Sequence, residues 1–122
     1  MHEVAIASEL LEQVLEIAQA NNAVTVESID VVCGEQRLVV LEALVMAWKG
    51  VSEDTIAASA TLNLSEKPMK GRCRLCMNEF SPSIDDYRCT QCGEADVDIF
   101  EGNDIVLSSM VCHSKDEIDE EK

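Results

Sequence analysis

The stretch Cys73-Arg74-Leu75-Cys76, followed after 12 residues by Cys89-Thr90-Gln91-Cys92-Gly93, constrains this chain more than any other. Two cysteines separated by two residues can aim both sulfurs at one point from a tight knuckle. Two facing knuckles supply four thiolates in a tetrahedron. A closed all-sulfur site suits Zn²⁺ in a structural role, with iron as the competitor because it accepts the same ligands. Two disulfides are the other use of such spacing, and they require an oxidising compartment and an export signal. The chain begins Met1-His2-Glu3 with no basic n-region, and Glu9 and Glu12 interrupt the first leucines where a signal peptide would be apolar throughout. The expectation is a metal clamp in a cytoplasmic protein.

A chain of 122 residues has room for one modest core and a satellite. With 3% aromatic residues, that core must be built from Val, Leu, Ile, Ala and Met. The knuckle region is too small to fold without its metal, so binding and folding are the same free energy there. A net charge of −15 argues against a nucleic-acid partner, since phosphate contacts need a basic footprint. No apolar run approaches the ~20 residues of a membrane span, and Leu38 to Trp48 is broken by Glu42.

Along the chain, residues 3 to 20 read as an amphipathic helix, with Ala7, Leu10, Leu11, Val14, Ile17 and Ala18 on one stripe and Glu9, Glu12, Gln13, Glu16 and Gln19 on the other. Asn21-Asn22 stops it. Val24 to Cys33 is β-branched and reads as a strand, although Val24 and Val26 sit on the opposite parity to Ile29, Val31 and Cys33. Leu38 to Lys49 reads as a second helix with Leu38, Leu41, Val45 and Trp48 on its core face and Gly50 ending it. Ala60 to Ser65 alternates as a half-buried strand closed by Pro68, and Ile105 to Cys112 is a third, returning strand. The metal module is inserted before that last strand, and the fold class is α+β.

Cys33 and Cys112 read as packing thiols. His113 reads as an exposed residue, because a lone imidazole needs partners to hold a metal. His2 reads in two ways from residue chemistry: as part of a frayed terminus with no function, or as a chelator, since in second position its imidazole, its own amide nitrogen and the free terminal amine of Met1 can close fused chelate rings on one ion. That nitrogen-rich, near-planar set suits Ni²⁺ or Cu²⁺ rather than Zn²⁺. A bulky residue after Met1 is expected to leave Met1 in place as the true terminus.

Taken together, the residues resemble the HypA/HybF family of hydrogenase maturation nickel metallochaperones up to Cys112. The resemblance rests on Met1-His2-Glu3 with the helix behind it, Gly34-Glu35, Ala60-Thr61-Leu62-Asn63-Leu64, the run from Cys73 to Phe80, Cys89-Thr90-Gln91-Cys92-Gly93, and Gly102-Asn103-Asp104-Ile105. It implies a small two-helix, three-stranded-sheet metal-binding domain with an inserted zinc-ribbon, rubredoxin-like domain. The nickel-binding domain would comprise 1–68 plus 103–113 and the zinc domain 69–102; residues 114–122, outside the matched pattern and mostly charged, read as an acidic solvated or disordered tail. The resemblance implies Zn²⁺ on Cys73, Cys76, Cys89 and Cys92, and Ni²⁺ as cargo on His2 and Glu3 with the terminal amine of Met1. It implies no catalytic residue, and as partners a HypB-type nickel-handling GTPase and the hydrogenase large-subunit precursor, with a homodimer and service to urease left open. This chain departs from the family pattern at Met77, where Gly is usual, and at Gln36-Arg37-Leu38.

Two readings from other classes stand beside this one: a rubredoxin-like iron electron carrier on the same four thiolates, and a zinc-ribbon adaptor in which His2 has no role. The basic residues Lys67, Lys70, Arg72, Arg74 and Arg88 either offset the −2 charge of a four-thiolate zinc or are plain surface cations. A carrier needs an open, labile nickel site, and acidification through the ordinary imidazole range near ~6.5 is expected to weaken nickel while sparing zinc.

Overall fold

The structure is a computed structural model and describes residues 2–115. These divide into two compact units, 2–31, 39–64 and 107–115 in the first and 32–38 with 65–106 in the second. Helix α1 spans His2–Ala20 and helix α2 Leu41–Ser52. The strands are β1 (Ala23–Gly34), β2 (Thr61–Lys67), β3 (Lys70–Cys73), β4 (Glu79–Phe80), β5 (Val97–Glu101) and β6 (Ile105–Ser114). They form two three-stranded sheets, one in the order β2-β1-β6 and one in the order β4-β3-β5. This is the two-helix α+β arrangement with a three-stranded sheet that the sequence implies, and the four-cysteine module carries a second three-stranded sheet.

In the first unit, α1 packs on α2. Helix α1 buries Ile6, Ala7, Leu10, Val14 and Ala18, a stripe at helical spacing. Ile17, expected in that stripe, is instead 40% exposed. The helix ends as its sequence requires: Asn22 adopts φ 56°, and both the amide and the side chain of Asn21 donate to the Ile17 carbonyl at 3.1 and 2.8 Å. In β1, Val26, Ile29 and Val31 are all buried. The parity break lies between Val26 and Ile29, and the Val26 amide bonds the Ile56 carbonyl of a loop at 3.0 Å.

Helix α2 starts at Leu41 rather than Leu38. Glu35–Arg37 forms a single 3₁₀ turn, Leu38 takes a left-handed φ of 55°, and Val40 is extended. The helix then runs through Gly50 to Ser52, where the sequence reading ends it at Gly50. A Cβ on Gly50 would meet nothing within 4 Å, so this glycine is a weak helix former on an open face and not a stop signal. Leu44, Trp48 and Ser52, each one turn apart, form its buried face. Trp48 is thus a core residue. Burying a side chain of the size of Leu44 or Ile29 contributes about 1.5–3 kcal/mol.

The second unit is built on the antiparallel sheet β4-β3-β5, in which Arg72 faces Glu79 on one side and Asp98 on the other. The segment after β1 is pinned to the segment before β6 by main-chain bonds, Gly34 N–H to the Asp104 carbonyl at 2.7 Å and Gln36 N–H to the Gly102 carbonyl at 2.9 Å. The approach is close enough that a Cβ on Gly34 would lie 2.4 Å from the Gly102 carbonyl carbon. Glu35 completes the junction by accepting the Met69 amide at 3.0 Å. Residues 116–122, which hold most of the expected acidic tail, and Met1 lie outside the described residues.

Candidate metal centres

The two knuckles bring the sulfurs of Cys73, Cys76, Cys89 and Cys92 within 4.8 Å of one another. The short approaches cross between knuckles: Cys73 Sγ to Cys92 Sγ is 3.6 Å and Cys76 Sγ to Cys89 Sγ is 3.5 Å. A regular tetrahedron with Zn–S bonds of about 2.3 Å has edges of about 3.8 Å. The donor set and spacing therefore fit a four-thiolate zinc centre, and they equally fit the iron of the alternative reading.

Each knuckle is closed by a residue in the left-handed region after its second cysteine, Gly93 at φ 80° and Met77 at φ 65°. The Met77 amide reaches back to the Cys73 carbonyl at 2.9 Å, as the Gly93 amide does to the Cys89 carbonyl at 3.0 Å. The first cysteine of each pair is the buried one, Cys73 at 0% and Cys89 at 4% exposure. Cys89 accepts from the amides of Gln91 and Cys92 at 3.3 and 3.5 Å and from Asn78 Nδ2 at 3.6 Å.

These donors and the crowding of four sulfurs pull the thiols apart in acidity. The amides of Cys92 and Gln91 bring Cys89 down to about 6 against the opposing effect of burial. At Cys92 the Glu94 amide pulls down, but the neighbouring thiols and burial together push the thiol up to about 12. Four sulfurs this close cannot all ionise until a cation neutralises them. A dication bound among them would favour the thiolate form of all four.

The basic residues of the module are mostly spoken for. Arg74 pairs with Asp96 at 2.9 Å and Asp98 at 3.6 Å, Arg72 with Glu79 at 3.0 Å, Arg88 with Asp86 at 2.9 Å and Lys70 with Glu101 at 3.8 Å. Arg72 also lies over the Phe100 ring at 5.5 Å. Such pairs knit the short strands together and leave little free positive charge to offset thiolates.

His2 and Glu3 form the first turn of α1. The imidazole is half exposed, and its Nδ1 lies 3.4 Å from Glu3 Oε2. The same oxygen accepts the Val40 amide at 3.1 Å. That amide, chiefly, holds the Glu3 carboxyl below its usual range. Met1, whose amine the sequence reading adds to this pair, lies outside the described residues.

The other candidate residues go elsewhere. Cys33 is buried and its thiol is pushed up, first by burial and then by the charge of Glu66, which makes it an inert packing residue. Cys112 is half-buried. His113 is not the exposed residue the sequence suggests: its Nε2 lies 2.9 Å from Glu27 Oε1. Sequence reasoning missed Asn78, whose side chain crosses from one knuckle to the sulfur of Cys89 and to Thr90 Oγ1 at 3.1 Å. No spacing rule points to it, because the contact depends on how the knuckles face each other.

A two-helix α+β domain joined to a four-cysteine module suited to zinc defines a class of small metal-handling proteins. Residues 1–112 match the family described as "Hydrogenase/urease nickel incorporation, metallochaperone, hypA", and the chain belongs to the HypA family. Among its relatives, the hydrogenase maturation factor HypA of Dehalococcoides mccartyi strain CBDB1 is 34% identical over 110 residues, covering 90% of this chain and 92% of the relative. That of Wolinella succinogenes is 34% identical over 118 residues, covering 96% and 99%. The solution structure of the nickel metallochaperone HypA from Helicobacter pylori superposes with a TM-score of 0.74 at 26% identity, covering 94% of this chain and 100% of that one. Members of the family are metallochaperones and maturation factors rather than enzymes. No helix among the described residues is long and apolar enough to cross a membrane.

Proposed function

We propose that this chain carries Ni²⁺ in the cytoplasm to the large-subunit precursor of a [NiFe] hydrogenase, in concert with a HypB-type nickel-handling GTPase. Residues 69–102 form the zinc domain, with Zn²⁺ held permanently by Cys73, Cys76, Cys89 and Cys92. The remaining core, 1–68 and 103–113, presents the nickel site. Nickel is taken by the His2 imidazole, the main-chain nitrogens of His2 and Glu3, and the terminal amine of Met1. The family covers both hydrogenase and urease; the names of the relatives support hydrogenase as the client.

The observation that carries this reading is the position of His2 at the very start of α1 with its imidazole half exposed. The first four amides of a helix have no acceptor within it, so the nitrogens of His2 and Glu3 can bind a metal without breaking a helical bond. The positive end of the helix dipole opposes a cation there. The Glu3 carboxylate, kept ionised by the Val40 amide, offsets that opposition. Such a site is exposed and held at one end only, which suits a cargo that must be released.

Absorption spectroscopy of Ni²⁺ added to the zinc-loaded protein tests the proposal. A planar nitrogen-ligated ion gives a d–d band in the visible blue region, and His2→Ala removes it. An octahedral nickel spectrum unchanged by that substitution contradicts the assignment.

A further inference from the structure

The four cysteines are not equivalent, and their inequality follows the symmetry of the two knuckles. In each CxxC pair the first sulfur is the buried one, and that of Cys89 accepts the amides of Gln91 and Cys92 at 3.3 and 3.5 Å. The second sulfur of each pair is more open, Cys76 being intermediate and Cys92 exposed. Asn78 then breaks the symmetry by giving Cys89 a third donor, from the opposite knuckle.

An N–H bonded to a thiolate withdraws charge from the sulfur, and burial keeps reagents from it; both lower its reactivity as a nucleophile. A metal-bound thiolate that is exposed is therefore the first to react, and one that is buried with three donors is among the last. Cys92 and Cys89 are those two extremes, although they belong to the same knuckle.

We infer that Cys92 is the corner at which the four-thiolate centre opens to modification and metal exchange, and that Asn78 holds the Cys89 corner closed by bonding its sulfur across the knuckles. This rests on the reading that the four thiolates bind a metal. Asn78 is a positioning residue: it touches a ligand, not the metal. The reagent class to which Cys92 is open is a soft carbon electrophile. The Cys92 sulfur displaces iodide from iodoacetamide, a carbon–sulfur bond replaces the carbon–iodine bond, and the resulting thioether no longer supplies a charged ligand to the metal.

The experiment is sub-stoichiometric alkylation of the full zinc-loaded chain with iodoacetamide, followed in time by peptide mapping, with zinc content measured beforehand. Cys112, half-buried and outside the cluster, serves as the internal reference. Cys92 is expected to be alkylated at least about fivefold faster than Cys89. In Asn78→Ala the Cys89 rate rises toward that of Cys92 while the Cys92 rate is unchanged. Thr90→Ala, which removes the other partner of the Asn78 amide and leaves the sulfur contact, keeps the original order. Alkylation of Cys89 or Cys73 as fast as Cys92 in zinc-loaded protein overturns the inference without any variant, as does an unchanged Cys89 rate in Asn78→Ala. Absence of zinc together with no thiolate charge-transfer bands on Co²⁺ addition overturns the metal reading itself, and the ordering with it.

Discussion

Glu3 Oε2 accepts the Val40 amide at 3.1 Å and thereby does for α2 what that helix cannot do for itself. In a capping box, the N-cap amide is bonded by a carboxylate three positions into the same helix. Here the N-cap is Val40, with no side-chain cap, and the position three residues on is Ala43. The carboxylate comes instead from the first turn of α1, so the residue beside His2 also fixes where α2 begins. Because the Val40 amide lowers the Glu3 pKa below 4.5, the stabilisation is fully present above that value and is lost as pH falls through the lower folded value. Glu3→Ala is expected to lower the melting temperature by a few degrees at neutral pH and by less in acid, and to speed hydrogen exchange at Val40. Equal melting at neutral pH would show that the contact contributes nothing.

Met77 closes its knuckle at φ 65° with its side chain 61% exposed, so the strain of a left-handed non-glycine residue is not offset by burial. Gly93 holds the matching place at φ 80° with nothing near a prospective Cβ. Met77→Gly should stabilise the zinc-loaded protein by up to about 1 kcal/mol, the left-handed penalty less the extra freedom glycine has when unfolded. Gly93→Ala should destabilise it by about the same amount. Chemical denaturation of both variants with zinc bound decides the sign.

Metal removal should act through the crowded thiols. Crowding by the neighbouring sulfurs holds the Cys92 thiol protonated, with its pKa pushed up to about 12. A dication binds the thiolate form, so zinc uptake should release protons and strengthen as pH rises. Calorimetry in buffers of different ionisation enthalpy measures the release. In parallel, a strong chelator should collapse the NMR signals of Lys70–Cys73 and Val97–Glu101 while those of α1 persist.

Gly34→Ala places a methyl group 2.4 Å from the Gly102 carbonyl carbon, in a junction made of main-chain bonds that cannot give way singly. The expected cost is about 1–3 kcal/mol, read by denaturant unfolding. An unaffected variant would mean the junction opens readily.

The cysteine spacing, the α1 periodicity and the returning strand were legible because each is a local pattern with one physical meaning. Leu38 misled because an apolar residue at helical spacing looks like a first turn. The chain there is instead set by the anchoring of Glu35 to Met69 and by the extended Val40, both tertiary effects. Gly34-Glu35 and Gly102-Asn103-Asp104 carry part of the resemblance, and the structure gives them a reason, since the segments that hold them bond each other. Strands β3, β4 and β5 carry no apolar alternation long enough to read, and their charged cross-strand pairs appear only once the register is known. At the four-cysteine cluster the convergence of the four sulfurs was legible and the inequality among them was not.

The central claim is that nickel binds at the amino-terminal motif. Its most direct test is calorimetric nickel titration of the zinc-loaded protein in three forms: beginning at Met1, with one extra residue before Met1, and as His2→Ala. The account predicts that the first binds nickel and that both alterations abolish binding at unchanged zinc content. Equal nickel binding by all three forms would contradict it and place the ion elsewhere on the chain.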